Sequence, residues 1–161
     1  MERKASEIKK IGTGKIYIER MKEEDLKEVL AIETASFPTP WTRNMFPREL
    51  KDNLSSHFLV ARTDKDGVVG YGGFSIVIDG VHISSLAVHP DFRRRKIGER
   101  LLTTMLHLIK LRGIKKVALE VRAGNLCAQN LYRKFGFRVV GRHRQYYQDN
   151  QEDALLMSLN L

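Results

Sequence analysis

Two Asp-Gly pairs constrain this chain most. Asp66-Gly67 and Asp79-Gly80 separate three strand-like runs, HFLVAR (57–62), VVGYGGFSIVI (68–78) and VHISSLAVH (81–89). Glycine has no Cβ to clash at positive φ and aspartate tolerates that region, so Asp-Gly between such runs marks a tight hairpin turn. Residues 57–89 are expected to form an antiparallel meander.

The flanks supply what would cover it. KIYIER (15–20) reads as a strand, and residues 23–37 carry Leu26, Val29, Leu30 and Ile32 at helical spacing behind an acidic first turn. Thr42 is a candidate N-cap for a second helix, which Pro47 would kink or delay because its ring has no N–H to give. In residues 99–113, Leu101, Leu102, Met105, Leu106, Leu108 and Ile109 make a broad apolar face, with Gly113 suited to end the helix. Residues 114–123 read as a strand, Asn125 caps a helix to about Lys134, and residues 137–143 and 153–160 are closing strands. The expected order is β-α-α-β-β-β-α-β-α-β-β. Residues 1–14, with Gly12-Thr13-Gly14 as a hinge, read as a flexible N-terminal arm before a single domain over 15–161.

At 161 residues the chain suits one core, and no apolar run reaches the roughly 20 residues that a membrane span needs. The N-terminus lacks the apolar stretch of a secretory signal. One cysteine, Cys127, has no internal disulfide partner, and no Cys/His spacing suits a metal; a reducing cytoplasm is expected. Cys127 itself reads as packing. The net charge of +9 favours polyanionic company without choosing among nucleic acid, ribosome and phosphorylated ligands.

The charge is densest in RRRKIGERLL (93–102), between a strand end and a helix start. A helix N-terminus offers unpaired N–H donors, and arginines add charge-assisted bonds to phosphate. A solvated charge run and a nucleic-acid patch are the other readings. The run is compact and free of interleaved aromatics, so the phosphate loop is favoured over both.

Here the chain resembles a known family. VHPDFRRRKIGERLL is similar to motif A of the GNAT acetyltransferases, with Arg93 in its first position, Gly98 in a glycine position and Lys96 where another glycine is usual. LEVRAGNLCAQNLYRKFGF (119–137) is similar to the second half of that fold. FPTPW (37–41) and the set Tyr146, Tyr147, Glu152, Asp153, Ala154 and Met157 resemble, more narrowly, the RimI type, which acetylates N-terminal alanine of ribosomal protein. The resemblance implies an α/β (α+β) fold with a mixed, mostly antiparallel central sheet flanked by helices. It implies acetyl-CoA as co-substrate, no metal, and a protein N-terminus as acceptor, with a ribosomal protein as a candidate. Neither a membrane nor nucleic acid is required.

The resemblance also assigns residues. The backbone of Leu86, Ala87 and Val88 would bond the pantetheine arm. Arg93, Arg94, Arg95, Lys96, Ile97, Gly98 and Glu99 would surround the pyrophosphate. Asn125 would touch the cofactor while capping its helix. Pro40, Trp41, Tyr146 and Tyr147 would wall the acceptor groove, although Trp41 reads equally as a core anchor. Glu152 and Asp153 would either attract an amine or open the last strand.

Acyl transfer to an amine needs a neutral nucleophile, and an α-amine with pKa ~8 is mostly protonated at neutral pH. A nearby carboxylate can take that proton, and a phenol can hydrogen-bond or protonate the departing thiolate. Glu120, an acid in an otherwise apolar strand, stands at the family's base position, and Tyr132 at its acid position. From the residues alone, Glu120 reads as well as an exposed or salt-bridged side chain and Tyr132 as core. A lysine or small-amine acetyltransferase, and a non-catalytic CoA- or RNA-binding module, stay open as alternatives.

Overall fold

The structure, a computed structural model, describes residues 6–11, 14–46, 50 and 55–161. Eight strands form one sheet: β1 (Ser6–Ile11), β2 (Gly14–Arg20), β3 (Ser56–Thr63), β4 (Gly67–Val77), β5 (Gly80–Val88), β6 (Lys116–Arg122), β7 (Arg138–His143) and β8 (Ala154–Asn160). Their spatial order is β1-β2-β3-β4-β5-β6-β8-β7. Every neighbouring pair is antiparallel except β5 with β6, which are parallel and joined by a helix. The expected meander is β3-β4-β5. Gly67 and Gly80 take positive φ at its two turns, of 73° and 158°.

Three helices complete the described fold: α1 (Leu26–Ser36), α2 (Ile97–Leu111) and α3 (Leu126–Lys134). They cover both faces of the sheet. Along β3, Leu59 and Ala61 join a cluster with α2 residues Leu101, Leu102, Met105 and Ile109, while Phe58 and Val60 join one with α1 residues Leu26, Val29 and Ile32. Adjacent strand residues serve opposite layers, as the two-residue period of a strand requires. Each fully buried aliphatic side chain contributes roughly 1.5–3 kcal/mol relative to exposure. On the α1 side, Gly73 makes room for Phe58, whose ring would lie 2.4 Å from any Cβ there.

The ends of α2 and α3 follow local chemistry. Gly113, at φ 72°, ends α2 and donates its N–H to the carbonyl of Lys110. Asn125 caps α3 by accepting the N–H of Ala128 at 3.1 Å.

Two expectations change. Residues 6–11, read as part of an arm, form an edge strand paired antiparallel with β2 through Ser6–Ile18 and Ile8–Ile16, so backbone bonding extends the sheet by one strand. After Thr42 comes a short 3-10 turn, Arg43–Met45, without a side-chain capping bond. Pro47, with most of the helix expected around it, lies outside the described residues.

Candidate active site

The parallel pair β5–β6 holds the key feature. It is in register only at Val81–Val117 and His82–Ala118, and beyond those positions the strands diverge. From Ile83 to Val88, β5 stays bonded to β4 on one side, and its other edge is open. One residue past Ile83, Ser84 is an extra residue in the β4–β5 register. Such a bulge bends a strand away from its neighbour. A cavity of about 470 Å³ lies along the gap. Ile83 to Leu86 of β5, Leu119 to Arg122 of β6, and Asn125, Ala128 and Tyr132 at α3 line it.

At the end of β5 the chain turns into α2 through the basic run. Arg94 and Lys96 both adopt left-handed backbone, at φ 63° and 62°. The first bond into the helix is from Arg100 N–H to the Lys96 carbonyl. Among the described residues, none of the backbone N–H groups from Arg94 to Glu99 has a hydrogen-bond partner. Six consecutive amides without a partner stand at the positive end of a 15-residue helix, an arrangement that favours an anion. The φ of Gly98 is not in the left-handed region, and a Cβ there would meet only Leu131 and Val88, at 3.5 and 3.8 Å. Neither backbone nor packing demands glycine at 98.

The side chains of this loop divide the work. Arg93 donates through Nε to the Val88 carbonyl and through Nη2 to Ser36 Oγ, so it ties the loop to β5 and α1. Arg95 lies over the Phe92 ring, Ile97 is core, and Glu99 is paired with Lys134.

Glu120 and Tyr132 both line the cavity. Glu120 is not alone: its Oε2 is hydrogen-bonded to His82 Nε2 from the facing strand. That bond holds the carboxyl below its usual range and the imidazole above its own, outweighing the burial of each, with His143 adding to the fall at Glu120. Tyr132 is buried against Phe137, and burial pushes its phenol well above the ordinary value. It therefore keeps its proton at every working pH, and no described group occupies its hydroxyl.

More of the wall comes from two loops. Phe37, Pro38, Thr39 and Trp41 line it, whereas Pro40, expected there, does not. Trp41 lines the cavity and also packs against Phe46 and Phe58 at ring distances of 5.2 and 6.3 Å. Tyr146 and Tyr147 come from the β7–β8 loop. Arg122 clamps that loop through Asp149, Glu152 and the Tyr147 ring. Glu152 also accepts the Gly124 N–H at 2.7 Å, and Asp153 binds Arg142 and the Gln145 N–H. Both acids are therefore structural and stay off the cavity wall. Cys127, read as packing, is exposed.

Two residues here, His82 and Glu33, lie outside those expected from the sequence. His82 becomes legible only once β5 and β6 are known to be neighbours. Glu33 falls seven residues after Leu26, on the apolar stripe of α1, and an acid at such a position is the signal. It is 3% exposed, it lines the cavity, and burial raises its carboxyl to about 6.

A sheet that opens along a cavity, lined by a carboxylate and a protonated phenol and followed by unpartnered amides at a helix start, fits an acyl-transferring enzyme. The chain belongs to the acetyltransferase (GNAT) family, whose model matches residues 26–137. A Bacillus subtilis (strain 168) protein provisionally named as a [ribosomal protein bS18]-alanine N-acetyltransferase is 41% identical over 89% of this chain and 94% of its own length. The Escherichia coli (strain K12) protein of that name is 30% identical over 84% of this chain and 90% of its own. The crystal structure of the Escherichia coli ribosomal-protein-S18-alanine N-acetyltransferase superposes with TM-score 0.80 at 28% identity, covering 90% of this chain and 93% of that one. Among the described residues no helix is long and apolar enough to cross a membrane, and no cluster of His, Cys, Asp and Glu could hold a metal ion.

Proposed function

We propose that this chain transfers the acetyl group of acetyl-CoA to the N-terminal α-amine of a protein, with the alanine end of ribosomal protein bS18 as the acceptor and the cytoplasm as the place of action. The relatives' names support the acceptor. The observation that carries the chemistry is the meeting of Glu120, paired with His82, and Tyr132 in one cavity beside six free amides.

Bound acetyl-CoA supplies an acetyl thioester. The amides of Arg94 to Glu99 hold its pyrophosphate, and Arg93 keeps their loop in place. The open edge of β5 across Leu86, Ala87 and Val88 receives the extended arm, and Asn125 sits beside it. Glu120 takes a proton from the acceptor's ammonium, directly or through a water, and His82 shares that proton through their hydrogen bond. The neutral amine attacks the thioester carbonyl directly in the ternary complex, the N–C bond forms as the C–S bond breaks, and the Tyr132 O–H would hydrogen-bond or protonate the leaving thiolate. Trp41, Tyr146 and Tyr147 confine the peptide end.

Labelled acetyl-CoA offered with free-α-amine peptides, and with lysine peptides blocked at the N-terminus, tests this reading. Label is expected on the former, with Glu120→Gln reducing kcat by about 10²–10⁴-fold and Tyr132→Phe also slowing turnover. Label on the lysine peptides alone would reject the acceptor, and full turnover by both variants would reject the mechanism.

A further inference from the structure

Glu33 is a buried acid with half of its hydrogen bonding unmet. Its Oε1 accepts the Trp41 N–H at 3.2 Å, and its backbone carbonyl accepts the Phe37 N–H at 3.0 Å. The residue thus fixes both ends of the 37–41 wall. Its Oε2 is buried and has no partner among the described residues. No described cation pairs with the carboxyl either.

A lone structural staple would not need this arrangement. Buried carboxyl oxygens are nearly always hydrogen-bonded, and leaving one bare costs free energy. Glutamine would hold the Trp41 N–H equally well without a charge. The unmet acceptor belongs to a residue that lines the same cavity as Glu120 and Tyr132. An acceptor awaiting a donor at a binding site is satisfied by water in the free protein and by ligand in the complex.

We propose that Glu33 is a second carboxylate of the acceptor site, whose Oε2 receives an N–H donor of the incoming peptide end while Oε1 holds the wall beside it. The proposal rests on the N-terminal acetylation reading. It makes Glu33 a specificity residue, because a site built around such a bond discriminates against an end that cannot make it. Two donors share this chemistry: the α-ammonium, and the amide N–H between the first and second residues.

Steady-state kinetics of the full chain separate the outcomes. Glu33→Gln keeps the volume and the bond to Trp41 but can present an NH2 group where Oε2 was. The expected result is an acceptor KM raised about tenfold, with acetyl-CoA KM and Tm close to those of the parent. A peptide N-methylated at its first amide identifies the donor. If methylation costs the parent enzyme the same factor and Glu33→Gln nothing more, the donor is the amide; if both lose equally, it is the ammonium. An acceptor KM unchanged in Glu33→Gln overturns the proposal and leaves Glu33 a loop staple. Should that variant not fold, Glu33→Asp withdraws both oxygens by one methylene, and an unchanged acceptor KM there overturns it equally. Failure of the parent reading looks different: the unmodified enzyme binds acetyl-CoA yet acetylates no free N-terminus, and the proposal for Glu33 falls with it.

Discussion

His82 and Glu120 meet across β5 and β6 at the point where the two strands stop pairing. The last paired positions are His82 and Ala118, and Glu120 is the next residue on the same face of β6. The bond therefore stands at the apex of the opening. One hydrogen bond raises the imidazole and lowers the carboxyl, so the two titrate as a unit.

The first consequence concerns rate. Only the state with neutral His82 and ionised Glu120 can accept a proton from the acceptor's ammonium. Because the imidazole is raised above 6.5, that state becomes the main one only above that pH. The acid limb of the kcat profile is expected above 6.5 in the parent enzyme and in the carboxylate range in His82→Gln. The acceptor amine titrates alike in both, so the difference between profiles isolates the pair. Coincident limbs would take His82 out of the proton path.

Stability carries the opposite signature. A raised His82 contributes stability that is complete below its unfolded value of 6.5 and lost as pH rises through its folded value. A lowered Glu120 contributes stability that is complete above 4.5 and lost as pH falls through its folded value. The pair therefore stabilises most between about pH 4.5 and 6.5, on the acid side of the active range. Urea midpoints of the parent and His82→Gln, compared across pH, are expected to differ most inside that window. A gap that widens above pH 7 would contradict the linkage.

The part of the cavity wall formed by the β7–β8 loop depends on Arg122. Its guanidinium lies 3.8 Å from the centre of the Tyr147 ring and reaches Asp149 and Glu152 at 3.0 and 3.2 Å. One side chain of β6 thereby fixes the β7–β8 loop relative to Glu120, two residues earlier on the same strand. Arg122→Ala is expected to raise acceptor KM on the order of tenfold by loosening Tyr146 and Tyr147, with acetyl-CoA KM nearly unchanged. Arg122→Lys keeps the charge but loses the flat stacking surface and forked donors, and is expected to recover only part. Equal rises in both KM values would point to general unfolding instead.

How much of this the sequence carried depends on the range of the interaction. The meander was legible because Asp66-Gly67 and Asp79-Gly80 encode their turns locally. The amphipathic face of α2, its glycine stop and the cap at Asn125 are equally local. Glu120 and Tyr132 were recognised by resemblance, and the cavity they share required the fold. His82 was not legible, because its partner is 38 residues away on a strand whose neighbour the sequence does not announce. The N-terminal strand was missed for a related reason: pairing with β2 is a backbone interaction, and SEIKKI carries little side-chain pattern to declare it.

Lys96 stands where the family has glycine, and its backbone is left-handed at φ 62° and ψ 21°. A side chain in that region costs ~1–2 kcal/mol. Glycine removes the strain but gives back roughly 0.5–1 kcal/mol through the freer unfolded chain. Lys96→Gly is thus expected to stabilise the protein by about 0.5–1 kcal/mol, a rise in Tm of about 2 °C for a domain of this size. The free amides remain in the variant, since an N–H donates whatever its side chain. The same variant reads a second quantity, the affinity for acetyl-CoA measured by calorimetry at two salt concentrations. Affinity that falls in Lys96→Gly, with a weaker salt dependence, assigns the lysine ammonium to a phosphate. A more stable variant with full affinity leaves the lysine as strain only, and a variant with neither change would show that the loop tolerates the left-handed lysine without cost.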